Sequence, residues 1–230
     1  TLVIPESLNL ILETKTTEVM TYPVPDRGKG HFTMDSFEIT KDFVSDKDVV
    51  ILGPGLSSEE EALEFGRRIF LEVEKPFVID ADGINAFKEE PELLKKGSGR
   101  TVITPHPGEF SRLIKRSTKE INEDRVNFGL QFVREFGVIL VLKGARTLIF
   151  DSSGEIYINP TGNPSLAKGG SGDILTGFIG GLRAQGYSLL ESSIIGTYIH
   201  GYLADKWVEK HSEMDLLATD LLSDLGIAIR

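Results

Sequence analysis

Cysteine is missing altogether. Its absence removes disulfide scaffolds, thiolate metal sites and cysteine nucleophiles, and makes a cytoplasmic address the expectation. No apolar run approaches the ~18 residues that a membrane span requires. Positive charge is in short supply: 25 Lys+Arg stand against 35 Asp+Glu, a formal net charge of −10. Such a balance is unsuited to the electrostatic grip by which proteins hold nucleic acid. A nucleotide-sized anion is another matter, since a few backbone N–H groups and one Lys suffice for it. Several catalytic signatures are absent too. There is no G-x-x-x-x-G-K-[ST], no strand leading into G-x-G-x-x-G, and no G-x-S-x-G elbow. His31, His106, His200 and His211 form no H-x-x-x-H pair, and no motif marks a metal site. Internal repeats, low-complexity tracts and linkers are likewise missing, so residues 1–230 are read as one domain with ample length for a core.

What is present alternates. Val49–Leu52, Phe77–Ile79, Thr101–Ile103 and Val138–Leu142 are short apolar runs, separated by stretches with helical periodicity. Runs buried on both faces between amphipathic helices predict βαβ units and a mostly parallel central sheet. Thr1–Ile4 reads as a further buried strand, and Pro5-Glu6-Ser7 as the opening of a helix. Another helix is expected over about 34–44, and one over 59–70 capped by Ser57 or Ser58. Thr147–Phe150 and Ile156–Ile158 flank Asp151-Ser152-Ser153-Gly154-Glu155, a hairpin signal. Beyond Ser171 the pattern is helical, over roughly 171–184, 188–210 and 214–225.

The chemistry concentrates at the ends of these runs. Lys168-Gly169-Gly170-Ser171-Gly172-Asp173 leads straight into a helix. Glycines let backbone N–H groups approach an anion, and the helix N-terminus behind them adds about half a positive charge, so the loop suits phosphate. An Asp beside such a loop repels a bound anion, which suits a base placed next to a transferring phosphoryl group. The plainer alternative is that Asp173 caps the helix. The strand ends read Gly53-Pro54-Gly55, Asp80-Ala81-Asp82, Thr104-Pro105-His106-Pro107-Gly108-Glu109 and Lys143-Gly144-Ala145-Arg146-Thr147. In an open α/β sheet these ends converge on one rim, where ligands bind. Taken singly, His106 is as well explained by structure as by ligand binding, and Lys143 by a solvated strand end.

These segments, taken together with Asp80-Ala81-Asp82-Gly83-Ile84-Asn85, resemble the ADP/ATP-dependent NAD(P)H-hydrate dehydratases of the ribokinase superfamily, in order and over nearly the whole chain. The G-x-G-D at a helix start belongs to the whole superfamily, whereas T-P-H-P-G-E followed by K-G-x-x-T points to the dehydratase. The resemblance implies a ribokinase-like three-layer α/β/α fold. It implies an enzyme that restores hydrated NADH or NADPH by phosphorylating the added hydroxyl from ADP or ATP and eliminating phosphate. Asp173 would then be the base, with Gly170, Ser171 and Gly172 as the anion hole. Lys143, Gly144, Ala145, Arg146, Thr147 and Gly172 would line the nucleotide site. His106 and Gly55, with Asp173 and Asn85, would meet the hydrated nicotinamide. Asp80 and Asp82 lie on the same rim; Asp82 is expected to cap a helix, and Asn159 and Asn163 fit structural roles equally well. Mg²⁺ is expected from phosphoryl-transfer chemistry, and a homo-oligomer is the expected state. The resemblance also predicts one more strand–loop–helix unit ahead of Leu2, with no counterpart here, and an epimerase domain in many relatives. A small-molecule kinase of the same fold, acting on a thiazole alcohol or pyridoxal, is the second reading, and a non-catalytic nucleotide-binding module the third.

Overall fold

The computed structural model describes residues 1–228. Its strands are β1 Leu2–Pro5, β2 Thr21–Val24, β3 Val50–Leu52, β4 Phe77–Ile79, β5 Thr101–Ile103, β6 Ile139–Leu142, β7 Leu148–Phe150 and β8 Ile156–Ile158. Its helices are α1 Asn9–Lys15, α2 Phe37–Val44, α3 Glu60–Glu72, α4 Asp82–Asn85, α5 Pro107–Ile114, α6 Thr118–Glu123 and α7 Arg125–Phe136, then α8 Ser171–Ala184, α9 Leu189–Val208, α10 Asp220–Ser223 and α11 Leu225–Ala228. Six strands form one sheet in the order β3-β4-β5-β6-β7-β8. β3 to β6 are parallel, and β7 and β8 turn back antiparallel through the expected hairpin.

The layers follow from period-two alternation along the strands. Phe77, Ile79, Ile103, Leu140 and Leu142 face a large core filled by phenylalanines of α2, α3, α5 and α7. Val78, Val102, Ile139 and Val141 face the other way, against Leu175 and Ile179 of α8 and Leu189 of α9. Because β3 to β6 follow one another in space, their crossovers all fall on one face, as right-handed connections require. That leaves the opposite face to α8 and α9. The start of α8 therefore meets the carboxyl ends of β4 and β6.

Several expectations need correction. β1 is a strand, but Leu2 is 38% exposed and only Ile4 and Pro5 are buried. It belongs to a separate two-stranded parallel sheet with β2, which carries no sequence signal because Pro23 interrupts it. Pro5 ends β1 instead of opening a helix, and a 3₁₀ turn over Glu6–Leu8 precedes α1. Glu59, not Ser57 or Ser58, stands at the N-cap of α3, and Ser57 takes a left-handed backbone. Residues 214–225 contain only the short α10 and the first residue of α11.

Between β1 and β3 lies an apolar slot of about 470 Å³, lined by Leu2, Val3, Phe43, Val44, Ile51 and Ile69 among others. Val50 and Leu52 direct their backbone groups at β4, through Val50 N to Pro76 O and Asp80 N to Leu52 O. In a parallel ladder alternate residues bond to opposite sides, so the N–H and C=O of Ile51 point into the slot. Leu2 N likewise bonds Met20 O beside β2, which turns the backbone of Val3 to the slot from the far side.

Candidate active site

Close packing of backbone brings the first two rim loops together. Gly53 has φ +127°, and a Cβ there would stand 1.8 Å from the Asp80 carbonyl oxygen. Gly83 reciprocates, since a Cβ there would meet the Leu52 carbonyl oxygen at 2.4 Å. Two glycines thus seat the ends of β3 and β4 against each other, leaving Gly55 open on the rim with φ +72° and no atom near its Cβ position.

From β4, the Asp80 carboxylate is 2% exposed and makes two bonds. Oδ1 accepts from Lys143 Nζ of the β6 end at 2.8 Å, and Oδ2 from Thr176 Oγ1 of α8 at 3.1 Å. Lys143 Nζ also stands 3.8 Å from Glu109 Oε2 of α5. Four elements are tied together at this point. Gly172 is where they meet the loop: a Cβ there would lie 3.2 Å from Asp80 Oδ2 and 3.3 Å from Lys143 Nζ.

Gly170, with φ +84°, is the N-cap of α8, and no side chain caps the helix. Asp173 is therefore not a cap. Its carboxylate is exposed to the rim. Desolvation and the neighbouring Asp80 carboxylate raise its pKa, with the Lys143 ammonium opposing. The Ser171 side chain faces inward: Ser171 Oγ and Ser171 O both lie 3.0 Å from His200 Nε2 of α9. An anion at this loop is met by backbone N–H groups, not by the serine hydroxyl. Burial holds His200 neutral, its pKa lowered to about 4.

His106 has a structural duty. Its Nδ1 accepts from Gly108 N at 3.0 Å and Glu109 N at 3.3 Å, while Glu109 Oε2 accepts from His106 N at 2.8 Å, a reciprocal cap at the start of α5. The acceptor role of Nδ1 leaves the proton on Nε2, which is 3.5 Å from Glu109 Oε1 in a half-exposed ring. Asn85 is bound on both sides, donating to Asp82 Oδ1 and accepting from Arg112 Nε at 3.1 Å. Asp82 is the first residue of α4, with Ala81 as its N-cap. Asn159 and Asn163 take structural roles, bonding Thr197 O and Asp205 Oδ1.

The Lys143–Thr147 loop is held from beneath by Arg125, whose guanidinium donates to the carbonyls of Leu142, Ala145 and Arg146. Gly144 and Arg146 have positive φ, and Gly144, Ala145 and Arg146 are exposed. Arg146 reaches the Pro160 carbonyl, and Thr147 Oγ1 the Gly144 carbonyl at 3.2 Å. Arg125, Thr176, Arg112 and His200 were invisible as site neighbours in the sequence. Each lies far along the chain from the group it serves, and none sits in a motif.

The family model of NAD(P)H-hydrate dehydratase matches residues 3–226. The bifunctional NAD(P)H-hydrate repair enzyme Nnr of Moorella thermoacetica is 37% identical over 230 residues, which cover 100% of this chain and 43% of that protein. The chain thus spans less than half the length of this curated relative. The ADP/ATP-dependent NAD(P)H-hydrate dehydratase of Bacillus subtilis, co-crystallised with ATP and Mg²⁺, is 26% identical with a TM-score of 0.78, covering 100% of this chain and 78% of that one. A ribokinase-like superfamily protein of Enterococcus faecalis shares the fold, with 24% identity and a TM-score of 0.80 over 98% of this chain and 74% of that one. With a ribokinase-like α/β architecture and a family match along almost its entire length, this chain belongs to the NAD(P)H-hydrate dehydratase family.

Proposed function

We propose that this domain dehydrates hydrated NADH or NADPH at the expense of ADP or ATP. One observation carries the reading: a glycine-lined helix start, a free carboxylate beside it and a fixed ammonium meet on one rim, in a chain matched throughout by the dehydratase family. Asp173 takes the proton of the added hydroxyl, whose oxygen attacks the terminal phosphorus of the nucleotide. The N–H groups of Gly170, Ser171 and Gly172 meet the charge on the transferring phosphoryl group. Lys143 contacts the nucleotide phosphates, and Gly144, Ala145, Arg146 and Thr147 line the adenosine end. His106 Nε2, Asn85 and Gly55 face the hydrated nicotinamide. Phosphate is a better leaving group than hydroxide, and its elimination restores the reduced cofactor.

Mg²⁺ enters with the nucleotide as part of the substrate. Among the described residues no group of three or more His, Cys, Asp or Glu side chains could hold a metal. Mg²⁺ is ordinarily carried by phosphates and water with few protein ligands. Incubation with hydrated NADH and ADP or ATP should regenerate the reduced-nicotinamide absorbance and release free phosphate. A stable phosphoester with no chromophore marks a kinase instead, and no turnover of any substrate marks a binding module.

Two further readings belong to the same proposal. The domain is completed by one more strand, from the same polypeptide or another chain, seated between β1 and β3; the apolar slot and its two facing backbone edges support this. The protein is a cytoplasmic homo-oligomer. The exposed Leu10, Ile11, Val19 and Met20 around α1 support association, and the absence of cysteine suits a reducing compartment. Among the described residues no helix is long and apolar enough to cross a membrane.

A further inference from the structure

Asp80 has no part in the chemistry assigned above, yet its carboxylate is the most thoroughly enclosed charge at the rim. At 2% exposure it is held by a cation against one oxygen and a hydroxyl, shared with a carbonyl, against the other. Lys143 Nζ takes one at 2.8 Å. The Thr176 hydroxyl stands between the other, at 3.1 Å, and the Gly172 carbonyl, at 2.8 Å. Gly172 itself packs so closely that any side chain there would press on the Asp80–Lys143 pair. A buried ion pair adds little net stability compared with apolar packing, so the arrangement draws its meaning from where its contacts lead. All three lead to the anion loop or to the lysine beneath it.

We propose that Asp80 is a positioning residue, fixing the Lys143 ammonium under the Gly170–Gly172 loop and setting its carboxylate against Gly172, the residue before Asp173, without touching substrate. The inference rests on the reading of Asp173 as base and Lys143 as nucleotide ligand. The sign of the charge is right for a base, since a neighbouring carboxylate favours the protonated form of Asp173 and so strengthens it as a proton acceptor. The charged and titratable groups around this point are Asp80 from β4, Lys143 following β6, Glu109 and His106 at the start of α5, and the neutral His200 from α9 against Ser171.

Asp80→Asn keeps the shape and an oxygen for Lys143 but removes the charge. In the full chain, with hydrated NADH and MgATP, kcat should fall about tenfold or more while the KM for ATP stays within about threefold. The acid limb of the kcat–pH profile should move to lower pH, because Asp173 becomes a weaker base. Thr176→Val leaves the charge and frees one oxygen. It should lower kcat about threefold or more and leave the acid limb in place, and it decides the matter if Asp80→Asn does not fold. Carboxyl ¹³C NMR of Asp173 reads the same effect without turnover, and its titration should shift to lower pH in Asp80→Asn. If the wild type fails to turn over the hydrate, the functional reading falls and this titration still tests the inference. A folded Asp80→Asn with normal kcat and an unmoved Asp173 titration, or Thr176→Val with wild-type kcat, overturns it.

Discussion

Loss of water pushes Asp173 of α8 and His200, which reaches Ser171 from α9, in opposite directions, because it disfavours the charged form of each. Asp173 is raised by desolvation and by Asp80, which suits proton abstraction. Asp173→Asn removes that capacity and, since Gly170 and no side chain caps α8, takes away no cap. Turnover should fall about 10²-fold or more with the melting temperature nearly unchanged; normal turnover in the folded variant would dismiss the base. His200 is lowered to about 4. Between about pH 4 and pH 6.5 the unfolded chain therefore binds a proton that the folded chain does not. Stability from this group is complete above about pH 6.5 and declines as the pH falls toward 4, by up to about 3 kcal/mol. Urea unfolding at pH 5 and pH 7 should show a smaller pH dependence in His200→Gln than in the wild type. Equal slopes would mean that His200 is not held neutral.

Elements impose their own tests. His106 caps α5 through Nδ1 and has a half-exposed ring, and in Asn, a good N-cap residue with a shorter side chain, the cap separates from the proposed substrate contact. His106→Asn should melt close to the wild type but raise the KM for the hydrated substrate, whereas His106→Ala should also lose about 1 kcal/mol of stability. Unchanged steady-state kinetics in His106→Asn would leave only the cap. The rim loop after β3 discriminates in the same way. Gly55→Ala meets no neighbour and carries only the backbone cost of about 1 kcal/mol. Gly53→Ala drives a methyl into the Asp80 carbonyl at 1.8 Å and should cost several-fold more, or prevent soluble expression. Similar melting temperatures for the two variants would mean that the β3 and β4 ends are not locked together.

On the scale of the whole molecule, the slot between β1 and β3 is the largest departure from a closed sheet. Two strand edges face each other across apolar side chains, with Ile51 43% exposed. Edges of this kind invite pairing or aggregation. Residues 1–230 expressed alone should aggregate or melt broadly. An extended form carrying roughly 30 to 40 more residues, the size of one strand–loop–helix unit, should unfold cooperatively and turn over faster. If the two forms match in solubility, cooperativity and rate, no strand is missing from the sheet.

The fold class and the parallel run β3 to β6 were legible in the sequence, because short runs buried on both faces and ending in Gly, Asp, Pro or Lys suit strands of a covered parallel sheet and little else. The glycine loop before α8 was legible for the same local reason, and so was the hairpin of β7 and β8. β2 was not, since pairing with β1 overrides a proline that argues against a strand. Nor did the sequence tell whether His106 or Asp173 caps a helix: the geometry assigns a cap to His106 and none to Asp173. The joining of Asp80, Lys143 and Thr176, drawn from β4, the end of β6 and α8, belongs to tertiary structure alone. Partners 63 and 96 residues apart leave no local pattern, and only the packing of α8 across the strand ends brings them within hydrogen-bond reach.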